Sequence, residues 1–180
     1  FNFATRNGEG LVVNKHYQVL IGASSGKGML ALNHRHKPLD DVRVRRAISH
    51  AIDRETFIRE VLDGRGKAIG SHFSPTDAGY VHLAGMYPYD PARARVLLKE
   101  AGVTLPLKMT LTLPPTPYAR AGGPVVAADL AKVGIVLQLE QVEWSQWLAG
   151  VFKGQFDMTL INHVEPLDYQ IYADPAYYFG

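Results

Sequence analysis

Several segments of the chain alternate apolar and polar residues, as half-buried strands do. Residues 107–113 (LKMTLTL) place their leucines and Met109 on one face and Lys108 with two threonines on the other, and residues 135–142 (IVLQLEQV) alternate again. Because the side chains of a strand point to alternate faces, this period of two predicts two β-strands. Residues 156–162 (FDMTLIN) are interpreted as a third strand.

The N-terminal part of the chain carries two shorter apolar runs. Residues 16–22 (HYQVLIG) and residues 29–33 (MLALN) flank the glycine-rich segment ASSGKG. Apolar runs separated by glycine and serine are typical of strands joined by a turn. We therefore predict two short strands here, with ASSGKG as the turn between them.

Apolar residues then recur at intervals of three and four, which predicts helices. Residues 42–52 (VRVRRAISHAI) show one apolar stripe and follow a pair of aspartates, a residue type that caps helices. Asp53 is expected to cap a second helical segment, residues 54–64 (RETFIREVLDG), which Gly64 ends.

Three more helices are predicted downstream. One has Asp90 as its N-cap, Pro91 in its first position and Gly102 after its last turn. Another spans residues 124–134 (PVVAADLAKVG), with proline at its start and glycine at its end. The last spans residues 144–154 (WSQWLAGVFKG), whose tryptophans, Leu, Val and Phe form its apolar face.

The order of these elements predicts the fold class. Strands and helices alternate with short connections from residue 107 onward, which implies right-handed crossovers and a largely parallel sheet. Residues 64–88 have no period and are interpreted as a long wrapped loop. We expect an α/β fold with a largely parallel or mixed sheet flanked by helices.

Composition narrows the possible partners. The chain has 180 residues, enough for one domain or a domain and a half, with 47% hydrophobic residues and a net charge of +2. This small charge gives no reason to expect nucleic acid or an acidic membrane as a partner. The sequence has no cysteine, which excludes disulfides, thiolate metal sites and cysteine nucleophiles.

The spacing Gly22-x-x-x-Gly26-x-Gly28 matches the nucleotide-binding turn of short-chain dehydrogenases, but its surroundings contradict that interpretation. Such a turn must open a helix, whereas MLALNHRHKP after Gly28 has no helical period and soon reaches Pro38. No tyrosine has a lysine four residues later, and the segment also fails the spacing of a P-loop. We therefore predict no nucleotide cofactor.

Other catalytic and metal-binding patterns are weak. His34 and His36 stand two positions apart, but no third ligand follows at a typical spacing, so we interpret them as part of a solvated loop. The sequence contains no Gly-x-Ser-x-Gly elbow and no evident serine, histidine and aspartate order. We predict a protein that is not an enzyme and needs no cofactor.

Polar side chains follow the ends of two predicted strands. Residues 114–123 (PPTPYARAGG) follow one strand, and residues 162–175 (NHVEPLDYQIYADP) follow another. Ligands of parallel sheets bind beyond the carboxyl ends of the strands. Because the second loop places polar groups among aromatic residues, as small-molecule pockets do, it is the stronger candidate for a binding site.

Three stretches carry an ordered set of motifs: residues 30–58, 87–103 and 128–161. The matching positions are Asn33, Pro38, Asp41, Val44, an arginine at 45 or 46, Ala47, Ile52, Asp53, Arg54, Tyr89, Asp90, Pro91, Ala94, Leu97, Leu98, Ala101 and Gly102. With these residues the chain resembles the peptide/nickel class of extracytoplasmic solute-binding proteins, which serve ABC importers.

The resemblance implies a two-lobed protein that closes on its ligand about a hinge. Residues 1–180 would form one lobe. Since the sequence starts at Phe1 without a methionine and shows no signal-peptide pattern, we expect it to be a fragment of a longer protein. The resemblance further implies a periplasmic or cell-surface anchored monomer, with a small solute or peptide and a membrane permease of an ABC transporter as partners. An alternative is a solute-sensing domain of the same fold, and a less favoured one is a nucleotide-dependent α/β enzyme.

The resemblance also indicates where a ligand would bind. It places the ligand face at the loop of residues 162–175, in agreement with the strand-end argument, and it places the MLAL strand near the cleft. The candidate ligand-binding residues are Met29, Ala31, Asn162, His163, Glu165 and Asp168.

The chain departs from the family's peptide-binding pattern at this loop. His163 occupies the position of the family's tryptophan, and Pro166 that of the aspartate that pairs with a peptide's α-amino group. Glu165, one residue away, could supply the charge. The Gly-Gly-Pro sequence at residues 122–124 implies a helix that is shorter at its start than in the family.

Overall fold

The computed structural model describes residues 10, 13–20, 22–165 and 171. Within them, one sheet of four strands forms in the order β1-β4-β2-β3. The strands are β1, Lys27–Leu32; β2, Leu107–Leu113; β3, Ile135–Gln141; and β4, Met158–His163. Strand β2 pairs in parallel with both β3 and β4, whereas β1 pairs antiparallel with β4. The predicted α/β class with a mixed sheet is therefore confirmed.

Five α-helices accompany the sheet in the described part of the chain. They are α1, Val42–Ala51; α2, Arg54–Val61; α3, Pro91–Glu100; α4, Pro117–Ala131; and α5, Trp144–Ala149. Short 3₁₀ turns lie at Ala84–Met86 and Val151–Lys153. The segment between α2 and α3 otherwise has no regular structure, as its lack of period predicted.

The predicted caps begin the first three helices. The carboxylate of Asp41 accepts from the amide of Arg43 at 2.8 Å, and that of Asp53 accepts from the amide of Thr56 at 3.0 Å. Asp90 caps α3 in the same way. Each side chain satisfies an N–H that the first turn of a helix cannot pair internally, which fixes where the helix begins.

The charge state of Asp41 gives a testable prediction. Side-chain hydrogen bonds from Arg43, with help from its amide, lower the pKa of Asp41 from 3.8 to about 2. A lowered pKa means that the carboxylate stabilises the folded state above the unfolded value, and that this contribution is lost as pH falls through about 2. We expect an NMR titration of Asp41 with a midpoint near 2.

Two arginine variants test this assignment. Arg43→Gln should raise the midpoint of Asp41 towards its ordinary value because the charged donor is lost. Arg46→Gln is the matched control, since Arg46 is exposed on the same helix and makes no bond to Asp41. Equal midpoints in the wild type and Arg43→Gln would contradict the assignment.

Both faces of the sheet are covered by apolar residues. On one face, helices α1, α3 and α4 pack against the sheet around side chains such as Leu98, Leu111 and Leu130, which are fully buried. On the other face a smaller cluster forms, made of Ala31, Trp147, Val151, Phe156 and Ile161. The sheet is therefore the middle layer of the described domain.

The predicted strand at residues 16–22 is wrong. None of its described residues lies in a strand, and Tyr17 and Leu20 are largely exposed. The strand predicted at residues 29–33 is confirmed as β1, but it begins earlier, at Lys27, inside the segment predicted as a turn, and it pairs with β4 near the other end of the chain. An apolar run becomes a strand only where a partner strand is available, and no local pattern names that partner.

The predicted start of the fourth helix is also wrong. Helix α4 begins at Pro117 and continues through Pro124, so the Gly-Gly-Pro sequence neither starts nor shortens it. A Cβ added to Gly122 would lie 2.6 Å from the ring of Phe57, and one added to Gly123 would lie 2.5 Å from Leu113. The glycines thus allow close packing of α4 rather than ending it.

The last predicted helix is split into two pieces. Helix α5 ends at Ala149, and a 3₁₀ turn follows after Gly150. Trp147 and Val151 are buried as predicted, but Trp144 and Leu148 are 43% and 51% exposed. Because both exposed residues lie in α5, before the break, the predicted apolar face is only partly buried.

Candidate ligand-binding site

The candidate residues gather where β4 ends. Asn162 and His163 are the last residues of β4, and Glu165 follows two positions later. Because β4 and β2 are parallel, this edge also holds the carboxyl end of β2 and the start of helix α4. Ligands of α/β sheets bind at such edges. Of the predicted ligand loop, Asp168 lies outside the described residues.

A buried lysine, Lys27, stabilises this edge through hydrogen bonds. Lys27 is fully buried, and its Nζ donates to the carbonyl of Ser25 at 3.0 Å and to that of Glu165 at 2.8 Å. The hydroxyl of Ser25 donates to the carbonyl of Val164. These bonds hold the backbone after β4 against the backbone before β1. One sign of this role is visible in the sequence, a charged residue at the start of an apolar strand, but Lys27 falls in the segment predicted as a turn.

Two further contacts position the end of β4. The amide of Asn162 donates to the hydroxyl of Tyr118 on helix α4 at 3.0 Å. The ring of His163 packs edge-on against His72, with 5.8 Å between the ring centroids. Through His72 the long loop between α2 and α3 reaches the same edge. The carboxylate of Glu165 is exposed and accepts from the amide of Val164 at 3.1 Å.

Met29 and Ala31 lie on the face of β1 that carries the smaller apolar cluster. Ala31 is only 4% exposed and packs with Trp147 and Ile161. Met29 is half-buried at the margin of the same cluster. Their side of the strand is shared with His163, which pairs opposite Lys27. A ligand contact from either residue stays a prediction.

A large cavity adjoins this edge, and two of the candidate residues, Met29 and Asn162, are among the residues that line it. It has a volume of about 850 Å³ and lies between strand β1, helix α2 and the start of the long loop. This volume is within the range of small-molecule sites. The described residues of its wall that bear aliphatic or aromatic side chains include Leu30, Ile48, Phe57, Ile58, Leu62 and Leu160.

Three cationic side chains line the cavity with these apolar residues. They are Arg54, Arg65 and Lys67, and none of the described lining residues is acidic. Arg54 is half-buried, and its Nη1 donates to the carbonyls of Ser49 at 3.2 Å and Tyr87 at 3.3 Å. Burial lowers the pKa of Arg54 because it penalises the charged form.

Thr116 is a second polar residue that the sequence did not single out. It lies just after β2 at the N-cap of helix α4, and its hydroxyl makes no capping bond. Its Oγ1 is buried and has no hydrogen-bond partner, and no other buried side-chain oxygen or nitrogen of the described residues lacks one. The segment 114–123 was predicted as a strand-end loop, but only its first three residues precede the helix.

Metal and membrane features are limited in the described residues. They contain no group of three or more metal-ligating side chains. The ring of His36 lies 3.1 Å from the carboxylate of Asp157, and His34 is exposed. The described helices also include none with the length and apolar character needed to cross a bilayer.

A sequence model of the family described as bacterial extracellular solute-binding proteins, family 5 middle, matches residues 4–178. The dipeptide-binding protein of Escherichia coli (strain K12) is 34% identical over 140 residues, which cover 75% of this chain and 26% of that protein. Heme-binding protein A of Haemophilus influenzae is 30% identical over 131 residues, 70% of this chain and 24% of that protein. The chain thus spans about a quarter of the length of these curated relatives.

Solved structures agree in fold. The periplasmic binding protein DppA from Helicobacter pylori, in complex with the peptide STSA, is 28% identical with a TM-score of 0.81, covering 92% of this chain and 32% of that one. NikA from Brucella suis, in complex with Fe(III)-EDTA, is 30% identical with a TM-score of 0.73, covering 86% of this chain and 34% of that one.

Proposed function

Because the chain belongs to family 5 of the bacterial extracellular solute-binding proteins, we propose that the intact protein is the substrate-binding component of an ABC importer. It captures a small solute, a peptide or a peptide-like molecule, between two lobes, and this chain forms one of them. The observation that carries the proposal is the family match over residues 4–178. The relatives named for dipeptides and the DppA complex with a peptide support a peptide-like solute.

The mechanism is capture without covalent chemistry. Closure of two lobes removes the ligand from water, which strengthens each polar contact around it. The edge at the end of β4 supplies this lobe's contacts: the backbone held by Lys27, the exposed carboxylate of Glu165, and Asp168 beyond the described residues. The protein acts outside the cytoplasm, in the periplasm or anchored to the cell surface, as a monomer that delivers the solute to a membrane permease.

The direct test is native mass spectrometry of the intact protein, purified gently from its own compartment. A discrete small-molecule adduct is the expected result, and its mass would narrow the identity of the solute. A nucleotide adduct, or a protein that binds no peptide or other small solute under any condition tried, would contradict the proposal.

Removing the acidic groups of the loop should weaken a solute with a cationic amine. Glu165→Ala or Asp168→Ala is expected to cost about 2 kcal/mol of binding free energy, as for a charged hydrogen bond shielded from water. Calorimetric titration of the captured solute measures the loss. Glu140→Ala is a matched control, because Glu140 is exposed on β3. Unchanged affinity in both loop variants would remove this loop from the site.

A further inference from the structure

Strand β1 contains a glycine, Gly28, and the space that a side chain would occupy at this position is open. Gly28 lies inside the strand, opposite Asn162, and a Cβ added to it would meet no atom within 4 Å. Glycine weakens a strand, and it often marks a place where a ligand approaches the backbone closely. Gly28 also lines the cavity of about 850 Å³ described above.

The wall around Gly28 is apolar and incompletely packed. Leu30 of β1, Leu160 of β4 and Phe57 of helix α2 border the cavity, and none of the residues of α2 is fully buried. Helix α2 nevertheless carries an apolar stripe, because Phe57, Ile58 and Leu62 recur at helical spacing. An apolar stripe beside an open volume can bury the apolar part of a ligand.

The described charged side chains that line this apolar wall are all cationic. The guanidinium of Arg54 donates to two carbonyls through Nη1, and no carboxylate among the described residues lies within ion-pair distance of it. The exposed side chains of Arg65 and Lys67 lie at the same cavity. Burying a cation costs free energy, and an anion that supplies a countercharge and accepts a hydrogen bond offsets this cost.

From the open strand position, the apolar stripe and the single sign of charge, we infer that this cavity binds an amphipathic anion. The solute's bulky apolar group lies against Gly28 and helix α2, and its carboxylate lies at Arg54, Arg65 and Lys67. The inference rests on the proposed function and specifies its substrate class: a solute with a large apolar group next to a negative charge.

Calorimetry on the intact protein, freed of captured solute by unfolding and refolding, tests the inference with three probes. Octanoate has the apolar chain and the carboxylate, octylamine has the same chain with a cationic head, and alanyl-alanine is a peptide without a bulky group. We expect octanoate to bind at least about tenfold more tightly than octylamine, as for a gained charged hydrogen bond.

Variants of the cavity locate the binding. Gly28→Leu occupies part of the open volume and should weaken octanoate at least about tenfold, since the new side chain would collide with the bound apolar chain. Gly85→Leu is the control, because a Cβ at Gly85 also meets no atom and this glycine lies outside the cavity. The double variant Arg65→Gln/Lys67→Gln should weaken octanoate about fivefold, as for exposed charges, whereas Arg46→Gln should not.

The outcomes separate this inference from the proposed function. Binding of octanoate that Gly28→Leu or the double variant weakens, with the controls unchanged, supports it. Binding of alanyl-alanine, or of a native solute, without binding of octanoate overturns the inference and leaves the importer role standing. Octanoate binding that neither the Gly28 nor the charge variant alters also overturns it. Binding of none of these overturns both. The double variant keeps the test decisive if Gly28→Leu does not fold.

Discussion

Leucine in place of Gly123 is expected to lower the free energy of unfolding by about 3 kcal/mol or more, because an overpacked core forces backbone shifts. The ideal Cβ of residue 123 would lie 2.5 Å from Cδ1 of Leu113 and 3.2 Å from its Cδ2. Leu113 is fully buried at the end of β2, so it has no solvent to move into. Urea denaturation followed by tryptophan fluorescence measures the change.

Ala121→Leu is the control for this prediction. Residue 121 lies in the same helix, two positions earlier, but is exposed, so its substitution should change stability by less than about 0.5 kcal/mol. Gly123→Leu with the stability of the wild type would show that α4 does not lie against β2 as closely as described.

Removal of the Lys27 side chain has the second largest expected effect. Lys27→Ala should cost about 2–4 kcal/mol of folding free energy, since it leaves the carbonyls of Ser25 and Glu165 without their donor and empties the space of a fully buried side chain. Thermal and chemical denaturation measure this cost.

A second lysine variant gives the comparison. Lys108→Ala changes an exposed lysine of β2, so stability should stay within about 0.5 kcal/mol of the wild type. Equal stability of Lys27→Ala and Lys108→Ala would mean that the bonds from Lys27 do not hold the edge of the sheet.

Elements fixed by local rules were predictable from the sequence. Helix α3 has its N-cap at Asp90, proline in its first turn and Gly102 with a positive φ after its end. Each of these features acts within one turn of the helix, so each is visible in the sequence. Helix α1 and strands β2 and β3 were also predicted, because one buried face gives each of them a regular period of apolar residues.

Elements fixed by distant contacts were not predictable in the same way. The start of α4 was placed at Pro124 because Gly122 and Gly123 look like a break, whereas the reason for these glycines is packing against Phe57 and Leu113. The apolar run at residues 16–22 was predicted as a strand although none of its described residues lies in one, whereas the run at residues 29–33 does form β1, because it pairs with β4 near the other end of the chain. Local propensity cannot indicate either contact.

In the candidate site, too, features that depend on local pattern were predicted and features that depend on distant contacts were not. The strand-end argument predicted the edge that holds Asn162, His163 and Glu165, since it needs only the order of the elements. Lys27 and Thr116 were missed because their importance depends on burial, which no local pattern shows. The cavity was missed as well, because part of its wall comes from a loop without periodicity.

The pairing of β1 with β4 sets the order in which the site can assemble. The unit of β2, α4 and β3 is contiguous in sequence and can form early, whereas Lys27 and Glu165 are 138 positions apart. Contacts at such separation form late, since closing a long loop must precede any gain from them. In a nascent chain the edge at the end of β4 therefore forms only after β4 has been synthesised, so the proposed site would assemble later than the unit of β2, α4 and β3.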